Sequence, residues 1–326
     1  MKENISSFGR PFWDLHPHSQ TLFGHLKKEK PIRENFEKII LDTLDGDKLL
    51  LKTHRRNPKK WVILAHGLAG SSESSYINRF TAQFLTKQIS VLRFNHRNCG
   101  DSMGLSRKPY HSGRGEDLLV AVKYLQDHYP QCEIVLVGFS LSGNVVLDAL
   151  CRFENEMNIK LAVCVNGPID LKASAARLSL KENSIYNFYF LNLLRIFNFK
   201  LYQKGLLNLS FKESVAKLPL DAKLIEYDDL YTAPLSGYKN AMDYYEQCST
   251  IKKISKINTA TVLITAEDDP IIPVSSYQEL LLPKNVERFI QPFGGHLGYM
   301  VNSSTPYGNK RWLDWFLGEK ISNALK

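Results

Sequence analysis

Residues 133–138 read EIVLVG, a run long enough for one buried strand, and a helix-like run, NVVLDALCRF, opens at residue 144. Only Phe139, Ser140, Leu141, Ser142 and Gly143 separate the two. A chain that turns from strand to helix in so few residues has to fold the helix back onto the sheet. Because the run is continuously apolar rather than alternating, the strand is expected to be covered on both faces.

The same unit recurs along the chain. WVILA (61–65), ISVLRF (89–94), LAVCVN (161–166), TVLITA (261–266) and VERFIQ (286–291) read as strands, whereas 75–88, 115–129 and the stretch around 312–317 read as helices. Strands separated by helices require parallel crossovers. The expected class is therefore α/β, a mostly parallel central sheet with helices on both faces. Upstream, FEKIILDTL and KLLLKTH flank Asp45-Gly46, the turn pair of an opening hairpin. Between 171 and 250 the rhythm breaks, with SIYNFYFLNLLRIFNF at 184–199 and no strand pattern. We expect a helical cap at 171–250 inserted into a core of 36–170 and 251–326, with an N-terminal arm over 1–35. A chain of 326 residues with 44% hydrophobic content is sufficient for one such core and its insertion.

Composition narrows the function. The net charge is +9, but the lysines and arginines are dispersed and no zinc-finger, RNP or helix-turn-helix pattern accompanies them, so nucleic acid is not an expected partner. The opening residues carry no apolar core followed by a cleavage site. The longest strongly apolar stretch, 188–197, is interrupted by Asn192 and falls far short of the roughly 20 residues that span a bilayer. No transmembrane segment is expected, while peripheral membrane contact and oligomeric state stay open. Five cysteines with no CxxC suggest the cytoplasm. Without GxGxxG, a Walker motif or HExxH, neither cofactor nor metal is expected.

The short junction carries the chemistry. A serine on a strand-to-helix turn is lifted clear of the sheet, and its oxygen faces a helix N-terminus that favours developing negative charge. Ser140 has Gly138 two residues before it, although Ser142 replaces the usual glycine two residues after. Serines at helix starts are also common caps, so Ser140 taken alone is either nucleophile or cap. Ser142 is the weaker candidate, expected in the first turn of the helix.

A serine nucleophile needs an imidazole to take its proton and an acid to hold that imidazole's tautomer. AEDDPIIP (266–273) puts Asp268 and Asp269 after one late strand, and FGGHLGY (293–299) puts His296 after the next. A structural histidine and turn aspartates account for each feature singly. Together, in the order Ser, Asp, His and each just after a strand, they form one set at the C-terminal edge of the sheet. The glycines of AHGLAG (65–70) let the backbone curve around an anion, with the amides of Leu68 and Leu141 as the expected oxyanion pair. His66, Asn95, His96 and Arg97 are expected to brace loops. The aromatic stretch 186–197 is expected to line an acyl pocket, although helix-to-sheet packing accounts equally well for any one ring.

These segments, together with PHSQTLFG (17–24), HGLAGSSESSY (66–76), FNHRNCGDS (94–102), VGFSLSGN (137–144), YDDLYTAPLSGY (227–238) and GGHLG (294–298), resemble the YheT-type branch of the α/β-hydrolases. That branch also holds the plant EMB8-like proteins and animal α/β-hydrolase-domain lipases. The resemblance implies a carboxylester or lipid-ester hydrolase with Ser140 as nucleophile, His296 as base and Asp269 as acid. It selects the second aspartate, which Pro270 also favours by biasing Asp269 away from the helical region. Asp268 is then expected to brace the loop. The expected activity is a serine carboxylesterase or lipase-like hydrolase working on a small-molecule acyl or lipid ester. An acyltransferase or thioesterase using the same triad, or a binding protein without turnover, are the rivals.

Overall fold

The computed structural model describes residues 4–26, 32, 34–207, 209–210, 213 and 217–326. Parts of the expected arm (1–3, 27–31 and 33) and of the expected cap (208, 211–212 and 214–216) lie outside these residues.

The hairpin forms at Asp45-Gly46: β1 (Glu37–Asp42) and β2 (Lys48–His54) pair antiparallel, and Gly46 takes the left-handed φ of +82° that the turn requires. Six further strands follow: β3 (Lys60–Ala65), β4 (Ser90–Phe94), β5 (Glu133–Phe139), β6 (Ile159–Val165), β7 (Thr261–Ala266) and β8 (Val286–Gln291). They join one sheet in the order β1-β2-β4-β3-β5-β6-β7-β8. Only β2 runs against its neighbours; every other pair is parallel. Each of the strands read from the sequence is present within a residue or two of its expected ends.

Alternation along the strands divides the core in two. Trp61 and Ile63 pack on one face, against a cluster that takes in Leu118 and Val122 of helix Gly115–His128 and Val146 of helix Leu141–Phe153. Val62 and Leu64 pack on the other, against Phe80 and Phe84 of helix Ser75–Thr86 and Trp312 and Phe316 of helix Trp312–Ala324. Sheet covered on both sides is what continuous apolar strands demand, since each fully buried Val or Leu contributes about 1.5–3 kcal/mol.

The helices are numbered along the chain: α1 (Ser19–Leu26), α2 (Ser75–Thr86), α3 (Gly115–His128), α4 (Leu141–Phe153), α5 (Leu171–Leu178) and α6 (Ser184–Gln203). They continue as α7 (Leu224–Tyr227), α8 (Ala233–Leu235), α9 (Ala241–Cys248), α10 (Ser275–Gln278) and α11 (Trp312–Ala324). A π-helical turn, Asp228–Thr232, joins α7 to α8. Between β6 and β7 the described residues form helices and no strand. Among the described residues no helix is long and apolar enough to cross a membrane.

Candidate active site

The turn after β5 holds Ser140 at φ +53° and ψ −125°, a conformation that costs energy for any residue with a side chain. Close packing imposes it. A Cβ on Gly138 would lie 2.1 Å from the Ser142 carbonyl oxygen, so only glycine lets β5 and α4 meet this tightly. A Cβ on Gly67 would come within 2.9 Å of the Ser140 Cβ, which presses the loop after β3 against the serine.

Ser140, His296 and Asp269 are brought together in line. His296 Nε2 lies 2.9 Å from Ser140 Oγ, and its Nδ1 lies 2.9 Å from Asp269 Oδ2. The Asp269 side chain is fully buried, and three more donors fix it: the Ile271 and Ile272 amides on Oδ1 at 2.8 and 3.0 Å, and Asn166 Nδ2 on Oδ2 at 2.7 Å. Asn166, itself at φ +48° just past β6, accepts a bond from the Tyr299 hydroxyl at 2.9 Å. Asp268 faces the other way and accepts from the Gly295 amide at 2.7 Å. Burial pushes the Asp268 carboxyl up to about 6.

Leu68 and Leu141 flank the serine, and among the described residues neither amide is engaged in a hydrogen bond. The amides on either side of Leu68 are engaged: Gly67 N–H donates to Tyr76 Oη at 2.8 Å, and Ala69 N–H to Tyr110 Oη at 2.9 Å. Two phenols thus set the curve of the loop.

Ser142 is fully buried behind the serine. Its hydroxyl donates to the His66 carbonyl oxygen and lies 2.6 Å from His96 Nε2. His66 donates from Nδ1 to Gly67 O at 2.8 Å and accepts from the His96 amide at 3.2 Å. Both rings are held neutral by burial, His66 down to about 4 and His96 well below its usual value. Asn95 accepts from the Ser72 amide, whereas Arg97 braces its loop through carboxylates rather than backbone. It is fully buried and grips Asp45, Asp47 and Asp117, tying the loop after β4 to the hairpin turn and to α3.

Two clefts open onto Ser140, and both are bordered by Leu68, Phe190 and Ile271. One, of about 980 Å³ with its open mouth included, runs beneath α6 past Phe190, Leu194 and Phe197. The other, of about 1350 Å³ measured the same way, lies beside His296 and is walled by Thr21, Leu22 and Tyr189. The aromatic stretch therefore lines the site only in part. Ile185, Phe188 and Ile196 of α6 are exposed, while Asn187 and Asn198 are buried and bound to the segment around α7.

A family model described as the alpha/beta hydrolase fold matches residues 60–303. The chain belongs to the α/β-hydrolase family. Among curated relatives it is 30% identical over 277 residues to the Escherichia coli esterase candidate YheT, covering 82% of this chain and 78% of that protein. It is 29% identical over 274 residues to a monoacylglycerol lipase of Saccharomyces cerevisiae, covering 80% of this chain and 58% of the lipase. Among solved structures, the Pyrococcus furiosus esterase Pf2001 superposes with a TM-score of 0.59 at 21% identity, over 91% of this chain and 100% of that one. This last likeness shows a shared fold.

Several residues of this α/β-hydrolase site lay outside the sequence reading. Asn166 closes a strand as one more residue of LAVCVN, and only its position at the end of β6 hints at a role. Thr21 accepts from the His296 amide at 2.8 Å across 275 positions of chain, a contact with no local signal. Tyr76 closes the segment HGLAGSSESSY and Tyr110 lies in a loop, and neither was assigned a part in shaping the loop after β3.

Proposed function

We propose that this chain is a serine carboxylester hydrolase that cleaves an acyl or lipid ester through an acyl-enzyme. The observation that carries the reading is the unbroken line from Ser140 Oγ through His296 to Asp269, opening on two clefts. In this mechanism His296 Nε2 takes the serine proton as Oγ attacks the acyl carbon, and Asp269 keeps the ring in the tautomer that presents Nε2 as acceptor. The free Leu68 and Leu141 amides receive the negative oxygen of the tetrahedral intermediate. His296 then protonates the departing alkoxide, and water repeats the sequence on the acyl-enzyme.

The same proton path assigns the clefts. His296 borders the cleft beside the arm, so the leaving alcohol belongs there and the acyl chain belongs beneath α6. Residues 171–250 act in this scheme as a cap over the acyl side, and the arm as a wall of the alcohol side. Five free cysteines support a reducing compartment, the cytoplasm. The names of the esterase and lipase relatives support an ester as substrate.

Intact-mass measurement after exposure to a panel of acyl esters and thioesters tests the reading. The expected result is an acyl adduct on wild-type protein and none on Ser140→Ala. An equal adduct on both, or none on either, would sink it. Adding competing alcohols and thiols during turnover separates hydrolysis from acyl transfer.

A further inference from the structure

One motif of the sequence has no part in the triad. YDDLYTAPLSGY folds as α7, the π-helical turn and α8, and it borders the cleft beneath α6 through Tyr227, Asp228 and Thr232. The wider π turn places Asp228 in the protein interior, where it accepts from Thr232 Oγ1 at 2.6 Å and Tyr245 Oη at 2.7 Å. Among the described residues no cation pairs with it, which leaves lone pairs open on both carboxyl oxygens.

Asn198 of α6 borders the same cleft and is only 2% exposed. It accepts from the Tyr227 hydroxyl at 2.9 Å through Oδ1, and its Nδ2 is buried without a partner among the described residues. Turning the amide round exchanges the two atoms and still leaves one of them unpaired. Of the described residues lining this cleft, Asn198 is the one left with an unsatisfied buried polar atom. Much of the wall around it is hydrocarbon or aromatic, including Leu171, Phe190, Leu194 and Phe197. A plain acyl chain fills such a wall but leaves the amide unpaired.

We propose that the cleft beneath α6 takes an acyl chain bearing a hydroxyl group, which pairs with the Asn198 amide and the Asp228 carboxylate. This rests on the reading of Ser140 as an ester-cleaving nucleophile, which gives an acyl chain its reason to enter the cleft. A hydroxyl is both donor and acceptor: its oxygen accepts from the unpaired Asn198 Nδ2 while its single proton goes to the Asp228 carboxylate. A keto group, which only accepts, meets half of that requirement. A buried polar group that gains its partner only from the ligand is the arrangement that discriminates between analogues with and without that group.

The test is calorimetric titration of the Ser140→Ala protein with methyl decanoate, its monohydroxylated isomers with the hydroxyl moved along the chain, and the matching keto esters. One position or two adjacent ones are expected to bind roughly tenfold tighter than the plain ester, with the keto esters between. Asn198→Leu is expected to erase that gain while the plain ester binds as well or better. The proposal is overturned if no hydroxylated isomer outbinds the plain ester, if none of the esters binds, or if the gain survives Asn198→Leu. Should that variant misfold, the positional profile of the parent protein decides alone. Binding is read without turnover, so an absence of acyl-enzyme in wild-type protein defeats the hydrolase reading separately from this result.

Discussion

Asn166 donates its Nδ2 proton to the same oxygen of Asp269 that faces His296, at 2.7 Å. The carboxylate is thereby held from the end of the strand next to the one that leads to Ser140, and the amide is held in turn by Tyr299. Replacing Asn166 with Leu is expected to lower kcat by roughly 10- to 100-fold with little change in KM, because a misplaced carboxylate misdirects the imidazole rather than the substrate. The Tyr299 hydroxyl, left unpaired, adds a stability loss of about 1–3 kcal/mol. Steady-state kinetics on one soluble ester and a denaturant melt check the two effects; unchanged kcat in folded protein would show that Asn166 does not position the acid.

The adjacent aspartates give an opposed pair. Asp269→Asn is expected to reduce kcat/KM by about 10⁴, the size of effect that follows when an amide stabilises the wrong histidine tautomer. Asp268→Asn keeps an acceptor for the Gly295 amide and is expected to stay within roughly tenfold of wild type. Kinetics on both purified, folded variants decide the matter. Collapse of Asp268→Asn alone would transfer the acid's role to that residue.

Ser142 and Ser140 separate in the same way. A fluorophosphonate probe is expected to label wild-type and Ser142→Ala proteins and to leave Ser140→Ala untouched. The Ser142 variant removes the hydroxyl shared by the His66 carbonyl and the His96 ring, and is expected to lose about 1–3 kcal/mol of stability. Labelling of Ser140→Ala at the active-site peptide would refute the assignment of the nucleophile.

Acid sensitivity follows from the buried imidazoles. His66 is pushed down to about 4, so between its ordinary value near 6.5 and that point the unfolded chain takes up a proton that the native one refuses. Its contribution is full above about pH 6.5 and is lost as pH falls through about 4. Asp148, Asp228 and Asp268, each pushed up to about 6 by burial, act in the opposite sense and lose stability as pH rises through that range. Net melts therefore mix the two groups, and a variant isolates one of them. His66→Gln is expected to flatten the rise of unfolding free energy with pH between 4 and 6.5, by an amount approaching 1.4 kcal/mol per unit. An unaltered slope in denaturant titrations across that range would contradict the assignment.

The sheet was legible because its parallel strands are covered on both faces: Val62 and Ile63 are both buried, so WVILA had to be apolar throughout. Ser140, Asp269 and His296 could be grouped from the sequence because each lies in the segment after a strand, and strand ends in a parallel sheet converge on one edge. Residues that act on them across the fold could not. Nothing near Thr21 or Asn166 in the chain reports a partner more than a hundred positions away. The outward apolar side of α6 was hidden for another reason: its apolar residues are spread around the helix and some of its polar ones, Asn187 and Asn198, are buried, so the sequence singles out no face.

The arm meets the histidine loop with almost no clearance. A Cβ on Gly298 would lie 2.3 Å from Gln20 O, and one on Gly295 would lie 2.7 Å from Thr21 Oγ1, while Gln20 Oε1 accepts from the Met300 amide at 2.9 Å. During synthesis, residues 14–24 emerge from the ribosome before β8 and must wait undocked until that strand and the loop after it have followed. A nascent chain halted before β8 holds the serine and its helix but has neither the imidazole nor the seat for the arm. The seat of the arm and the contact between Ser140 and His296 thus become available in the same step, once β8 and the loop after it have been made.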